Sequence, residues 1–151
     1  MAADYQSSVP AAPASAIDQK LKYLDHIQAT IARMAGNSFA FKGWNITVAS
    51  GIAAFAAVEA ERALLVIVAL TTLLFWALDG YYLWLERGFV NLHNAAAQLG
   101  PNDPVSFDMR VDKTRAFRRW LATCRRPHLL AFYGAILMVD VLAIIFFKEV
   151  K

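Results

Sequence analysis

Three apolar blocks, residues 43–58, 63–85 and 128–147, constrain this sequence more than any other feature. A helix crossing the hydrocarbon core of a bilayer needs about 20 mainly apolar residues, each rising about 1.5 Å. The second and third blocks meet that length. The first, about 16 residues, meets it if its helix begins at Phe39 or Phe41 and Lys42 snorkels to the headgroups. Hydrophobic residues make up 58% of the chain, above the roughly 45–50% of ordinary soluble domains, and the excess is gathered in these blocks. The sequence therefore predicts an all-α integral membrane protein: three transmembrane helices with cytoplasmic amphipathic helices, assembled as an oligomeric bundle.

Lysine and arginine set the expected orientation. Lys20, Lys22, Arg33 and Lys42 precede the first block, and Arg87, Arg110, Lys113, Arg115, Arg118, Arg119, Arg125 and Arg126 lie between the second and third. Only Arg62, Lys148 and Lys151 fall on the other side. Loops rich in Lys and Arg stay cytoplasmic, so the N-terminus is expected inside and the C-terminus outside, in the periplasm of a bacterial inner membrane. The net charge of +3 is then largely topogenic. The chain divides into a tail (1–16), a cytoplasmic amphipathic helix (17–42), a transmembrane hairpin (43–85), cytoplasmic helices with a basic segment (86–127), a third transmembrane helix (128–147) and a short tail (148–151). The first tail is acidic and rich in Ala, Ser and Pro. It reads as disordered and lacks the charged-then-apolar pattern of a signal peptide.

Two cytoplasmic stretches carry patterns. Ile17, Leu21, Leu24, Gln28, Ile31, Ala35 and Ser38 recur at alternating spacings of four and three, widened on one side by Ile27, Met34 and Phe41; this heptad-like seam packs on its own chain, lies on the membrane surface or contacts copies of itself. Residues 106–128 are expected as a helix, with Phe117, Trp120, Leu121 and Cys124 on one side and Arg115, Arg118, Arg119 and Arg126 on the other. Such a helix suits anionic lipid headgroups. It equally suits a phosphate-bearing ligand, with Trp120 stacking a nucleotide base.

Asp79 and Asp140 lie inside apolar blocks, where an Asp at a helix centre costs about 2.5–3.5 kcal/mol on insertion scales. Thr72, Asp79 and Glu86 are seven apart and share one face. Helix rise puts Asp79 about 9 Å and Asp140 about 18 Å from the inner ends of their spans. Three roles for Asp79 compete: a structural acceptor for Tyr82, Asn45, Thr47 or a neighbouring helix; the lining of an aqueous path in which rings of carboxylates favour cations; or a proton-coupled transporter, against which three short spans show no internal repeat. Gly51, Ala53, Ala54, Ala56 and Ala57 permit close helix contact. No catalytic constellation, cofactor motif or metal-ligand spacing is evident: His26, His93 and His128 are scattered, and Cys124 is the single cysteine. It reads as a bland interfacial thiol, with activation by its neighbours Arg125 and Arg126 as the alternative.

Two segments are more distinctive than hydropathy requires: Arg33, Met34, Asn37, Ser38, Phe39, Lys42, Gly43 and Trp44, then Leu78, Asp79, Tyr81, Tyr82, Leu83, Glu86 and Arg87. Over roughly residues 20–92 the chain resembles a family of small bacterial multi-span membrane proteins sharing these segments, similar to phage-defence membrane effectors of the Hailong type. The resemblance implies an oligomeric, ligand-gated ion channel controlled by a nucleotide made by a partner enzyme. It does not extend to the basic segment or the third block.

Overall fold

The computed structural model describes residues 15–59, 61–100 and 103–149, with the side chains of 147–149 left aside. Four helices follow in order: α1 (Ala16–Glu59), α2 (Arg62–Ala97), α3 (Ala116–Cys124) and α4 (Pro127–Glu149). Among the described residues there is no strand. Residues 1–14 of the expected tail lie outside the described residues, while Ser15 and Ala16 belong to the start of α1.

That start is a reciprocal cap. Ser15 Oγ accepts from the Asp18 amide at 3.1 Å, and Asp18 Oδ2 accepts from the Ser15 amide at 3.2 Å, satisfying donors that a first turn leaves open. From there α1 runs unbroken for 44 residues, so the expected amphipathic helix and first apolar block are one element. After the turn at Glu61, α2 returns antiparallel to it. Phe41 of α1 meets Phe75 and Tyr82 of α2 at ring-centroid distances of 6.1 and 5.3 Å. At the far end, Lys20 Nζ donates to the carbonyls of Ala97 and Leu99 at 3.0 and 2.5 Å, closing the C-terminus of α2 with a cation where carbonyls are unpaired.

The lower half of this hairpin is a small core of Tyr23, Ile27 and Ala96, packed by Leu24, Ile31, Phe89, Leu92, Val105 and Met109. The buried line on α1 runs through Tyr23, Ile27, Thr30 and Ser38: it takes in Ser38 of the expected seam and Ile27 on its widened side, and adds Tyr23 and Thr30. Leu24 and Ile31 pack at the edge of the chain's own core. Ile17 and Leu21, the seam's first members, stay 54% and 55% exposed. In the upper half Ala56 is buried, while Gly51, Ala54 and Ala57 remain exposed.

Two helices, α2 and α4, are long and apolar enough to cross a membrane. Only 28% and 17% of their apolar windows are buried, so most of that surface faces outward, unlike a core helix of a soluble domain. The upper half of α1 does not meet the same measure. Lys42, Asn45, Thr47 and Ser50 dilute it.

The helix expected over residues 106–128 is confined to α3, nine residues long. Asp108 Oδ1 accepts from the Arg110 amide at 3.0 Å and Asp112 Oδ1 from the Thr114 amide at 2.8 Å. Such local side-chain bonds compete with helix formation. Tyr23 pins the same segment by donating its hydroxyl to the Asp108 carbonyl at 2.6 Å, and Arg115 adopts a left-handed φ of 56° just before α3.

Two tryptophans bind α3 to α2. Trp120 Nε1 donates to the Ala77 carbonyl and Trp76 Nε1 to the Cys124 carbonyl, both at 3.0 Å. The approach requires Gly80: a Cβ there would collide with Cys124 Sγ. Cys124 is buried, and burial pushes its thiol upward, as suits a bland thiol and not one activated by Arg125 and Arg126.

Candidate functional site

Asp79 is 0% exposed and sits where α1, α2 and α4 meet. Its Oδ2 accepts from Lys42 Nζ at 2.5 Å and from the Tyr133 hydroxyl at 3.0 Å, and its Oδ1 accepts from Ser38 Oγ. Lys42 also donates to Ser38 Oγ at 2.9 Å. Ser38 and Lys42 are one turn apart on α1, so a single face presents both donors. Trp76 stacks on Tyr133, with ring planes 10° apart, and covers the network from α2. The carboxylate thus has a neutralising cation and two hydroxyl donors, which is what burial of a charge demands. Its partners come from neighbouring helices and not from Tyr82, Asn45 or Thr47. Lys42 turns inward to this pair instead of reaching the headgroups.

The other polar residues singled out in or beside the apolar blocks divide. Thr72 and Asp140 are buried, at 0% and 5% exposure, and Thr72 Oγ1 and Asp140 Oδ2 have no hydrogen-bond partner. Glu86, two turns further along α2 than Asp79, is partly buried and lies close enough to feel Asp79 and Lys42.

On the side facing the lower hairpin, a cleft of about 540 Å³ is lined by Trp84, Arg87, Asn91, Asp112, Arg119 and Arg126, among others. It brings together two of the expected arginines, Arg119 and Arg126, with Arg87, which the sequence marked for orientation and resemblance but not for ligand binding. Arg119 Nη1 donates to Asp112 Oδ2 at 2.9 Å. Hydrogen bonds from Thr114, then the Arg119 guanidinium, hold the Asp112 carboxyl below its usual range, so this one anion stays charged within the cleft. Among the described residues, Arg87 and Arg126 have no ion-pair partner. The floor depends on Gly88, where a Cβ would collide with Val111. Arg115 and Arg118 are exposed and do not line this cleft. Trp120 does not line it either, since its indole is committed to α2. No group of three or more His, Cys, Asp and Glu side chains suited to a metal occurs among the described residues.

Comparison of the chain with protein-family models, curated proteins and solved structures finds no match.

Proposed function

We propose that this chain is a homo-oligomeric protein of the bacterial inner membrane, with three spans, a cytoplasmic N-terminus and a periplasmic C-terminus. It acts there as a channel-like effector controlled by a phosphate-bearing cytoplasmic ligand. The observation that carries the ligand is the arginine cleft. Arg87, Arg119 and Arg126 converge from different elements on one cavity, whose volume falls within the roughly 300–1,000 Å³ of small-molecule sites. Guanidinium forks suit phosphate. A nucleotide from a partner enzyme in antiphage defence is what the sequence resemblance implies, and the cleft offers it a place.

The third span rests on hairpin geometry. The upper half of α1 runs antiparallel beside α2 and is tied to it through Phe41 and Lys42. If α2 lies in the membrane, that half of α1 lies at the same depth. The concentration of Lys and Arg at the lower end supports the orientation. The enclosure of Asp79 bears on conduction. With its carboxylate spent inside one chain, an ion path would run between copies. The same enclosure favours a second reading, a non-conducting membrane anchor for a soluble partner, in which the network only holds three helices together.

The test uses the purified full chain in detergent and then in liposomes, with ATP and a short oligonucleotide as probes at low salt. The expected result is an oligomer that binds one of them and releases ions when it does. Arg87→Gln, Arg119→Gln and Arg126→Gln should each weaken binding by about tenfold or more, the loss expected of a hydrogen bond to a charged group. Binding without flux would favour the anchor, and no binding of either probe would remove the ligand.

A further inference from the structure

The structure sorts the arginines of the basic segment into two sets. Arg119 and Arg126 line the cleft beside Arg87. Arg118 and Arg125 are exposed, lie outside it and, among the described residues, have no ion-pair partner. They stand seven residues apart, and so on nearly the same side of α3 and its closing turn.

Beside Arg125 is a smaller opening, a crevice of about 240 Å³ between α2 and α3. Leu73, Trp76 and Ala77 line it from α2, Trp120, Leu121 and Cys124 from α3. Both indoles spend their N–H groups on backbone carbonyls, so what they leave to the crevice is ring carbon. Arg125 is the one charged side chain that lines it. Phe117, 69% exposed and 5.5 Å from Trp120 between ring centroids, extends the apolar surface along α3.

The level of the crevice decides what fills it. Ala77 and Gly80, where α3 rests, lie eight and five residues before the end of the α2 apolar block at Leu85. By helix rise that is about 8–12 Å inside the block. Amphipathic helices at a bilayer surface sit about 5–10 Å into the headgroup–acyl boundary. α4 begins two residues after Arg125, at Pro127, so its apolar run starts at this same level. With α2 and α4 in a bilayer, the crevice faces acyl chains and Arg125 faces phosphates.

We propose that the crevice between α2 and α3 holds an acyl chain of an anionic phospholipid, with its phosphate on Arg125 and Arg118. The Arg125 stem lies along the apolar wall while its guanidinium reaches the phosphate. A zwitterionic lipid offers the same chains, but its phosphate is already balanced by its own cation. Free phosphate lacks the chain. The site rests on the membrane reading of α2 and α4 and is independent of the ligand of the arginine cleft.

The experiment titrates the full chain in neutral detergent micelles, at low salt, with phosphatidylglycerol or phosphatidylcholine carrying brominated chains. Bromine quenches tryptophan on contact, so the signal reports a chain beside Trp76 and Trp120. The background is Trp44→Phe, because Trp44 is 62% exposed and would meet any lipid. Half-maximal quenching should need at least about fivefold less phosphatidylglycerol than phosphatidylcholine, the preference expected of one arginine near an anionic surface. Arg125→Gln should remove most of that preference, and Arg125→Gln with Arg118→Gln all of it. Arg125→Lys, which keeps the charge, should retain most. Equal quenching by the two lipids would overturn the site, as would a preference unchanged in Arg125→Gln. Quenching by neither would also overturn it and give the crevice to a second copy. Displacement of phosphatidylglycerol by glycerol phosphate at equal concentration would leave a phosphate site without a chain, and the proposal would fall. A chain that stays monodisperse with detergent removed would overturn the membrane reading, and the site with it.

Discussion

Asp79 is costly to bury and costlier to strand. Replacing it with Leu leaves the Lys42 ammonium and the Ser38 and Tyr133 hydroxyls without their acceptor. Losing one partner of a buried ion pair typically costs about 3–5 kcal/mol. The value here should fall toward the lower end, because the Lys42 side chain keeps 25% of its exposure and can swing to water. Removing both charges together, Lys42→Met with Asp79→Leu, should cost clearly less than the sum of the single changes. Denaturant unfolding in micelles measures all three, and additive losses would mean that the pair is not coupled. Asp79→Asn retains hydrogen bonding and should be milder than Leu. The pair was legible in principle. Lys42 and Asp79 stand equally far in sequence from the turn between α1 and α2, so a tight hairpin has to set them side by side. Treating Lys42 as a headgroup ligand hid that symmetry. Tyr133 was not legible, because no periodicity says which face of α4 meets α2.

Among the elements, α3 is held by two indole hydrogen bonds and by contact at Gly80. Gly80→Val should lift α3 away, since Cys124 Sγ occupies the space of the new side chain. The readout is thiol labelling. Cys124 is buried and its thiol is pushed upward, so the wild type should react slowly with maleimide at pH 7.5, and Gly80→Val at least tenfold faster. Equal rates would mean that α3 breathes freely in the parent. The helix itself was legible only in its C-terminal half. Residues 106–115 have helical-looking composition, but Asp108 and Asp112 spend their carboxylates on nearby backbone amides, and a hydrophobicity pattern does not register that competition. The buried line on α1 is only partly readable from the seam, for a related reason. Leu24 and Ile31 were visible as apolar positions, whereas Tyr23 and Thr30 belong to the buried line because of what α2 and the 103–113 segment place opposite them.

For the molecule as a whole, apolar surface on α2 and α4 faces outward, while Lys and Arg gather at the end of the hairpin away from the Glu61 turn. A reporter fused after Lys151 should read periplasmic, and one inserted at Asn102 cytoplasmic. Both on one side would mean that only an even number of segments crosses between them, and the three-span arrangement would fall.

The unbroken α1 has a mechanical consequence. At 44 residues it is a rod of roughly 66 Å, held to α2 by Lys20 near its foot, by Ser38 and Lys42 a little past its midpoint, and by the turn at Glu61. Fixed at three levels, it cannot tilt alone. A push on the Ser15 end would carry α2 with it, and the hairpin would move as one stiff bar with no joint along its length.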